Sequence, residues 1–339
     1  MPATLRDVAH RAGVHAGTAS RALNPATRSL VNEETARKVM RAADELSYRP
    51  NPMARGLKTN RSFTVGVLIP DLTNPLFPPI VRGIEEGLAA EGYTALLANS
   101  DHDREQEQLH FRTMKDRQVE GVIMATAERN HPLVEQAIAA DVAVVLVNRT
   151  IDSKDVFAVI AEDREGARLA VDHLASLGHT KIAHLAGPQR FSTGLIRYQG
   201  FVEAMRVWGF EPDPDLIKFS EAFVESEGMR TFKELLNGPS EFTAVFAGND
   251  LLALGCYDAL AAEDLSCPSD VSIVGYNDIP FLDKLRPPLT TVRIPHYEIG
   301  RRAAELVLER LRDNSARPIT VMLPPELVVR GSTAPLASR

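Results

Sequence analysis

Polar residues recur at one kind of place in this chain, directly after a run of apolar residues. Asp71, Thr73, Asn74, Asn99, Asn148, Arg149, Asn249, Asp250, Asn277 and Asp278 all stand there. Amides, carboxylates and a guanidinium so placed supply the donors and acceptors that grip a small polyhydroxylated molecule. Taken singly, each also reads as a loop cap or turn residue; their repetition favours one shared cleft. No set for covalent or acid–base chemistry stands out. There is no GxGxxG after a strand, no P-loop, no HExxH and no GxSxG. Asp278, His173 and His184 have no recognisable catalytic partners. Cys256 and Cys267 form no CxxC pair and have no histidines at metal-ligand spacing, so they read as reduced thiols. The expectation is no catalytic residue, no metal and no cofactor.

A second chemistry is written into the N-terminus. The first sixty residues carry a net charge of about +5 and the rest about −12, within a total of −7 over 339 residues. A basic head on an acidic body suggests that only the head meets a polyanion. Within it, "GVHAGTASRALN" (residues 13–24) puts Thr18, Ser20 and Arg21 on a short helix. Arg21 has the fork that suits guanine, and Thr18, Ser20 and His15 suit phosphate. Ala16 offers apolar contact, for example to a thymine methyl, and Gly17 permits close backbone approach.

The elements that must position these groups follow from the pattern. Thr4 caps a helix with Asp7 as its reciprocal acid, and Leu5, Val8, Ala9 and Ala12 form one face. Gly13 turns the chain, and Val14, Ala19, Ala22 and Leu23 line a second helix that ends at Asn24. His15 stands at its N-cap, a poorer cap than serine. A third helix starts after Asn32 and ends near Tyr48. A helix-turn-helix explains these residues, and so does a three-helix bundle without a DNA role. Pro50 and Pro52 bar a continuous helix beyond it; the basic segment from Met53 to Lys58 is too short to be stable alone.

Beyond residue 61, apolar runs alternate with helical periods: "FTVGVLI", "TALLAN", "GVIMAT" and "VAVVLVN", then "KIAHLAG", "TAVFAGND" and "VSIVGYND". Continuous apolar runs suit parallel strands covered on both faces. The expected fold class is an all-α helix-turn-helix head plus an α/β body of two doubly wound parallel-sheet lobes. No 18-residue apolar run and no signal-peptide-like start is present, so a cytoplasmic protein is expected, with no membrane partner.

"TLRDVAHRAGVHAGTASRALN" and "VNEETARKVMRAADELSYRPNPMARGLK" resemble the DNA-binding head and hinge of the lactose-repressor (LacI/GalR) family of bacterial transcriptional regulators. The likeness continues through "GVLIPDLTNPLF", "HLASLGHTKIAHLAGP", "RYQGF", "FAGNDLLALG", "VSIVGYND", "PPLTTVR" and "ELVVRGST". It implies a periplasmic-binding-protein-like body whose chain crosses three times between lobes. The implied domains are a head (1–48), a hinge (49–61), an N-terminal lobe (62–160 and 292–319) and a C-terminal lobe (161–291 and 320–339). It implies that Leu72, Asn74, Pro75 and Phe77 line an effector cleft from the first lobe. Asn148, Thr193, Arg197, Phe223, Asn249 and Asn277 match positions facing a sugar-like effector, with Arg149 beside them.

The resemblance also implies that Leu57 wedges into the minor groove at the operator centre. Arg6, Arg21, Arg55 and Lys58 are expected at phosphates. Thr4, His15, Ala16, Gly17, Thr18, Ser20, Asn24, Tyr48, Asn51 and Ala54 complete the expected DNA-facing set. Asn148 and Asn277 stand where many members carry aspartate, so the pocket loses negative charge while Arg149, Arg190 and Arg197 remain. That suggests a sugar acid more than a neutral sugar. The expected protein is a homodimeric regulator, a repressor of a pseudo-palindromic double-stranded operator, controlled by a sugar or sugar-acid effector. The alternative is a cytosolic sugar sensor with weakened or lost DNA binding. No heptad-repeat tail is seen, which favours a dimer.

Overall fold

Thr4 opens the first helix, α1 (Leu5–Ala12), with a reciprocal cap. Its hydroxyl accepts from the Asp7 amide at 3.4 Å, and Asp7 accepts from the Thr4 amide at 2.8 Å. Gly13, at φ 67°, ends the helix. The next, α2 (Ala16–Leu23), is capped by His15, whose Nδ1 accepts from the Gly17 amide at 3.1 Å. A ring nitrogen thus does the work of the usual hydroxyl. Asn32 caps α3 (Glu33–Glu45) through the Glu34 amide at 2.9 Å. Val8, Ala19, Ala22 and Val39 are fully buried where the three helices meet. The computed structural model describes residues 3–24, 27–48, 61–153 and 155–336. It divides into a head unit and a body that begins at Thr64.

The body strands are β1 (Thr64–Ile69), β2 (Thr94–Asn99), β3 (Gly121–Met124), β4 (Ala143–Val147), β5 (Phe157–Ala161), β6 (Ile182–Ala186), β7 (Ile217–Phe219), β8 (Ala244–Ala247), β9 (Ser272–Asn277), β10 (Thr290–Arg293), β11 (Thr320–Leu323) and β12 (Glu326–Val328). The helices are α4 (Phe77–Ala90), α5 (Arg104–Asp116), α6 (Pro132–Ala139), α7 (Asp163–Ser176), α8 (Ser192–Val207), α9 (Glu225–Leu236), α10 (Asp250–Ala262) and α11 (His296–Arg312). One sheet has the order β11-β5-β4-β3-β1-β2 and is parallel throughout. The other runs β12-β10-β9-β8-β6-β7 and is parallel except for β12, which pairs antiparallel with β10. Central strands such as β4 and β6 are buried at every residue, as coverage on both faces requires. In each sheet the first strand lies between the second and third. Two switch points result, with ligand-accepting crevices beyond the strands' carboxyl ends.

The chain passes between lobes at Glu162, after Arg293 and after Leu323. Two of the expected breaks therefore move. Thr290–Arg293 belong wholly to the second sheet, so the break at 291/292 shifts to Ile294-Pro295. Thr320–Leu323 pair with β5 in the first sheet, so the break at 319/320 shifts to Pro324-Pro325. The strands β5, β7, β10, β11 and β12 and the helix α9 are not among the elements expected from the sequence; of these strands, β7, β11 and β12 are short or partly exposed. Helix–helix contacts in both lobes rest on glycine. A Cβ on Gly300 would lie 1.9 Å from the Ile80 carbonyl oxygen of α4, and one on Gly255 would lie 2.1 Å from that of Glu225 in α9. No helix among the described residues is long and apolar enough to cross a membrane.

His184 of β6 is fully buried, stacked against Phe201 (4.7 Å) and Phe246 (4.9 Å), and its Nδ1 donates to the Phe246 carbonyl at 2.8 Å. Burial lowers its pKa to about 4. The unfolded chain then binds a proton that the folded chain refuses as pH falls from about 6.5 toward 4, so stability falls in that window. His184→Asn keeps a donor near the Phe246 oxygen and removes the titration. Denaturant unfolding across the window should show an acid decline shallower by on the order of 3 kcal/mol. An unchanged slope would assign that decline to other groups.

Candidate functional site

The body's cleft is built from the ends of six strands. Asn74 and Leu76 follow β1, Asn148 and Arg149 follow β4, and Thr193 follows β6. Phe223 follows β7, Asn249 follows β8, and Asn277 ends β9. Together with Arg197 of α8 they surround a cavity of about 10 Å3. Asn249 is the N-cap of α10, its side chain accepting from the Leu252 amide at 2.9 Å. Asn74 accepts from the Leu76 amide at 3.0 Å. Asn148 and Asn277 sit at φ 64° and 114°, a region that asparagine tolerates better than most residues. At Asn148 the chain makes a three-residue turn, closed by the Arg149 amide donating to the Val147 carbonyl at 2.6 Å. The turn delivers Arg149 to the cleft.

Arg197 is fixed from four sides. Its Nε donates to Asp163 Oδ1 at 2.8 Å, one Nη to the Gly248 carbonyl at 2.8 Å and the other to Asn277 Oδ1 at 3.4 Å. Its guanidinium lies 3.7 Å over the Tyr276 ring. Gly166 makes room for that ring, since a Cβ there would lie 2.2 Å from the Tyr276 hydroxyl. Burial pushes the Asp163 carboxyl up, opposed by Arg197. Asp250, beneath the cleft, accepts from the Thr291 hydroxyl (2.5 Å) and the Ile279 amide (3.0 Å). Burial raises its pKa to about 7. Asp278 instead is held by Arg293 and Arg330.

Arg149 is only 4% exposed. It stacks 3.7 Å over the Phe191 ring and lies 6.0 Å from that of Phe223. Burial lowers its pKa to about 9, with Arg197 and Arg190 adding to the effect. Three expected cleft residues are elsewhere. Phe77 is 1% exposed and joins Ile80, Ile84 and Leu88 on the buried face of α4. Leu72 is 51% exposed on the loop and does not line the cavity. Pro75 lines a neighbouring opening with Phe281 and Leu285. Leu76, Asp163, Tyr276 and Phe191 escaped the sequence reading. Asp163 had the same signal as its neighbours, a polar residue just after an apolar run; Phe191 had none.

The head is a separate candidate surface. The three glutamates of α3 are matched there: Glu33 with Arg37, Glu34 with Lys38, and Glu45 with Arg11 and Arg41. Arg6, Arg21 and Arg28 have no carboxylate partner among the described residues. Arg21 Nε folds back onto the Gly17 carbonyl at 3.3 Å, and Arg28 Nε onto that of Ala22 at 3.1 Å. Thr4, Arg6, His15 and Arg21 are exposed, while Ala16, Gly17, Thr18, Ser20 and Asn24 are partly buried. Tyr48 is also partly buried, against the head's own core. The expected DNA contacts Asn51, Ala54, Arg55, Leu57 and Lys58 lie outside the described residues.

Residues 4–51 match the model of bacterial regulatory proteins, lacI family, and residues 171–333 match that of a periplasmic binding protein-like domain. The chain is 34% identical to the HTH-type transcriptional repressor CytR of Escherichia coli K12, over 98% of this chain and 97% of that protein. It is 32% identical to the ribose operon repressor of the same organism, over 97% and 99%. A lac repressor dimer solved with operator and the anti-inducer ONPF superposes with a TM-score of 0.86. That match has 27% identity and covers 98% of this chain and 100% of the other.

Proposed function

Because the chain belongs to the lacI family of bacterial regulatory proteins, we propose that it is a transcriptional repressor controlled by a sugar or sugar-acid effector. Two copies bind a pseudo-palindromic operator as a homodimer, each α2 in a major groove. Arg21 reads guanine, while Arg6, Thr18 and Ser20 meet phosphates and sugars. Leu57 wedges the minor groove at the operator centre, with Arg55 and Lys58 on the flanking backbone. The effector sits between the lobes, held by residues of both. A ligand that binds one lobe arrangement better than another shifts the population, and operator affinity with it.

The observation that carries this reading is a conjunction within one chain. A helix-turn-helix keeps Arg6, Arg21 and Arg28 without acidic partners among the described residues, and a body gathers Asn148, Thr193, Arg197, Phe223, Asn249 and Asn277 around one cavity. Fluorescence anisotropy with DNA from upstream of the gene tests it. Binding is expected to weaken steeply with salt, by close to one unit of log-log slope per phosphate neutralised. Arg21→Ala should lose roughly 5- to 150-fold in discrimination at the guanine it reads. No binding, or a flat salt response, would favour a sensor without operator binding.

A further inference from the structure

Three of the four asparagine side-chain oxygens lining the effector cleft already accept a hydrogen bond, the exception being that of Asn148. The Asn74 side-chain oxygen is taken by the Leu76 amide, that of Asn249 by the Leu252 amide, and that of Asn277 by Arg197. Their amide NH2 groups remain. Thr193 Oγ1 is buried with no partner, and so are Nε and Nη1 of Arg149. The charges are equally one-sided. Arg197 has Asp163. Glu128, whose charge acts on Arg149, is itself engaged by Arg104 and by Arg190. Glu107 is taken by Thr126 and His131. Among the described residues Arg149 is a buried cation with no carboxylate in an ion pair with it.

We propose that the effector carries an anionic oxygen group, carboxylate or phosphate, which seats against Arg149 and Thr193. The proposal rests on the reading of this cleft as the effector site. A neutral hydroxyl must both donate and accept to be satisfied. An anionic oxygen only accepts, which is what this lining offers partners for. Charge-assisted bonds from a guanidinium are roughly twice as strong as neutral ones. An unpaired buried cation destabilises the empty protein, so the anion relieves a penalty as well as making bonds. The Phe191 and Phe223 rings flank the guanidinium and exclude water from the pair.

The test uses the full chain and matched ligands: ribose, ribonate and ribose 5-phosphate; glucose, gluconate, glucuronate and glucose 6-phosphate. Thermal shift and calorimetry are read for each. At least one acid or phosphate is expected to bind while its parent sugar does not, and the carboxylate and phosphate arms decide between the two sources. Arg149→Gln should weaken that ligand by about 30-fold or more. In the absence of ligand the same variant should melt a few degrees higher than wild type, because the unpaired cation is gone. A merely structural arginine would shift the midpoint the other way. Thr193→Val should weaken the ligand as well, with little change in the ligand-free midpoint. Binding by a neutral sugar alone, undiminished in Arg149→Gln, would overturn the proposal and leave the effector reading standing. No binding across the panel would overturn both.

Discussion

Arg197→Leu is expected to cost the body about 3–5 kcal/mol of stability and to abolish effector binding. The loss does not come chiefly from the missing bond to Asp163. It comes from what remains: a carboxylate 4% exposed with no counter-charge, and a Gly248 carbonyl without its donor. Asp163 would then take up a proton well above its usual range. The variant's deficit should therefore be full at neutral pH and shrink as acid protonates the carboxyl. Adding Asp163→Leu should return much of the lost stability without returning binding, since an apolar pair tolerates burial where a lone charge does not. Guanidinium unfolding of the three proteins at two pH values checks the order. A deficit in Arg197→Leu that is independent of pH would show that the buried carboxylate is not its source.

Gly300→Ala is the second large effect. In an open helix this change stabilises by about 1 kcal/mol. Here the added Cβ would lie 1.9 Å from the Ile80 carbonyl oxygen and 2.9 Å from the Ile84 amide nitrogen, both backbone atoms of α4. No side-chain adjustment clears them, so the helices must separate, and overpacking of this kind costs about 1–3 kcal/mol or more. The sign of the helix-propensity term is overruled. Gly87→Ala supplies a graded comparison, because its Cβ would meet the Ala304 methyl at 2.8 Å, a softer obstacle. Unfolding midpoints in the order wild type, Gly87→Ala, Gly300→Ala are expected. A Gly300→Ala protein as stable as wild type would mean that the helices do not approach this closely.

What the sequence disclosed follows from which signals are local. Central strands are mostly apolar, β4 at every position and β6 at all but His184, so "VAVVLVN" and "KIAHLAG" read as buried parallel strands. Edge strands carry no such run: Thr320–Leu323 alternates exposed and half-buried residues, and Ile217–Phe219 is three residues long. Their membership depends on a partner distant in sequence. The lobe boundaries were off for the same reason, since Thr290–Arg293 and Thr320–Leu323 look alike until their neighbours are known. In the cleft, polar residues behind apolar runs were legible by position. Phe77, matched by resemblance to the cleft loop and readable equally as core, packs in the core, and the signal is local: Phe77, Ile80, Ile84 and Leu88 repeat with helical period, which marks a core face. Arg149 could be named from sequence, but that it forms no ion pair among the described residues could not. That property belongs to the engagements of Glu128, Glu107 and Asp163, settled only in three dimensions.

The late return of α11 and β11 bears on how such a chain is made. The first lobe's sheet lacks its edge strand until residue 323 is synthesised, and α4 lacks its covering helix until residue 312. By then nearly all of the second lobe has already been translated. The nascent first lobe therefore spends most of its synthesis with an apolar, glycine-notched helix face uncovered, a surface of the sort that chaperones hold and that aggregates when they do not. The second lobe in turn waits for β12 at residues 326–328. Neither half matures ahead of the other, and a ribosome that stops before residue 320 releases a chain with two unfinished cores.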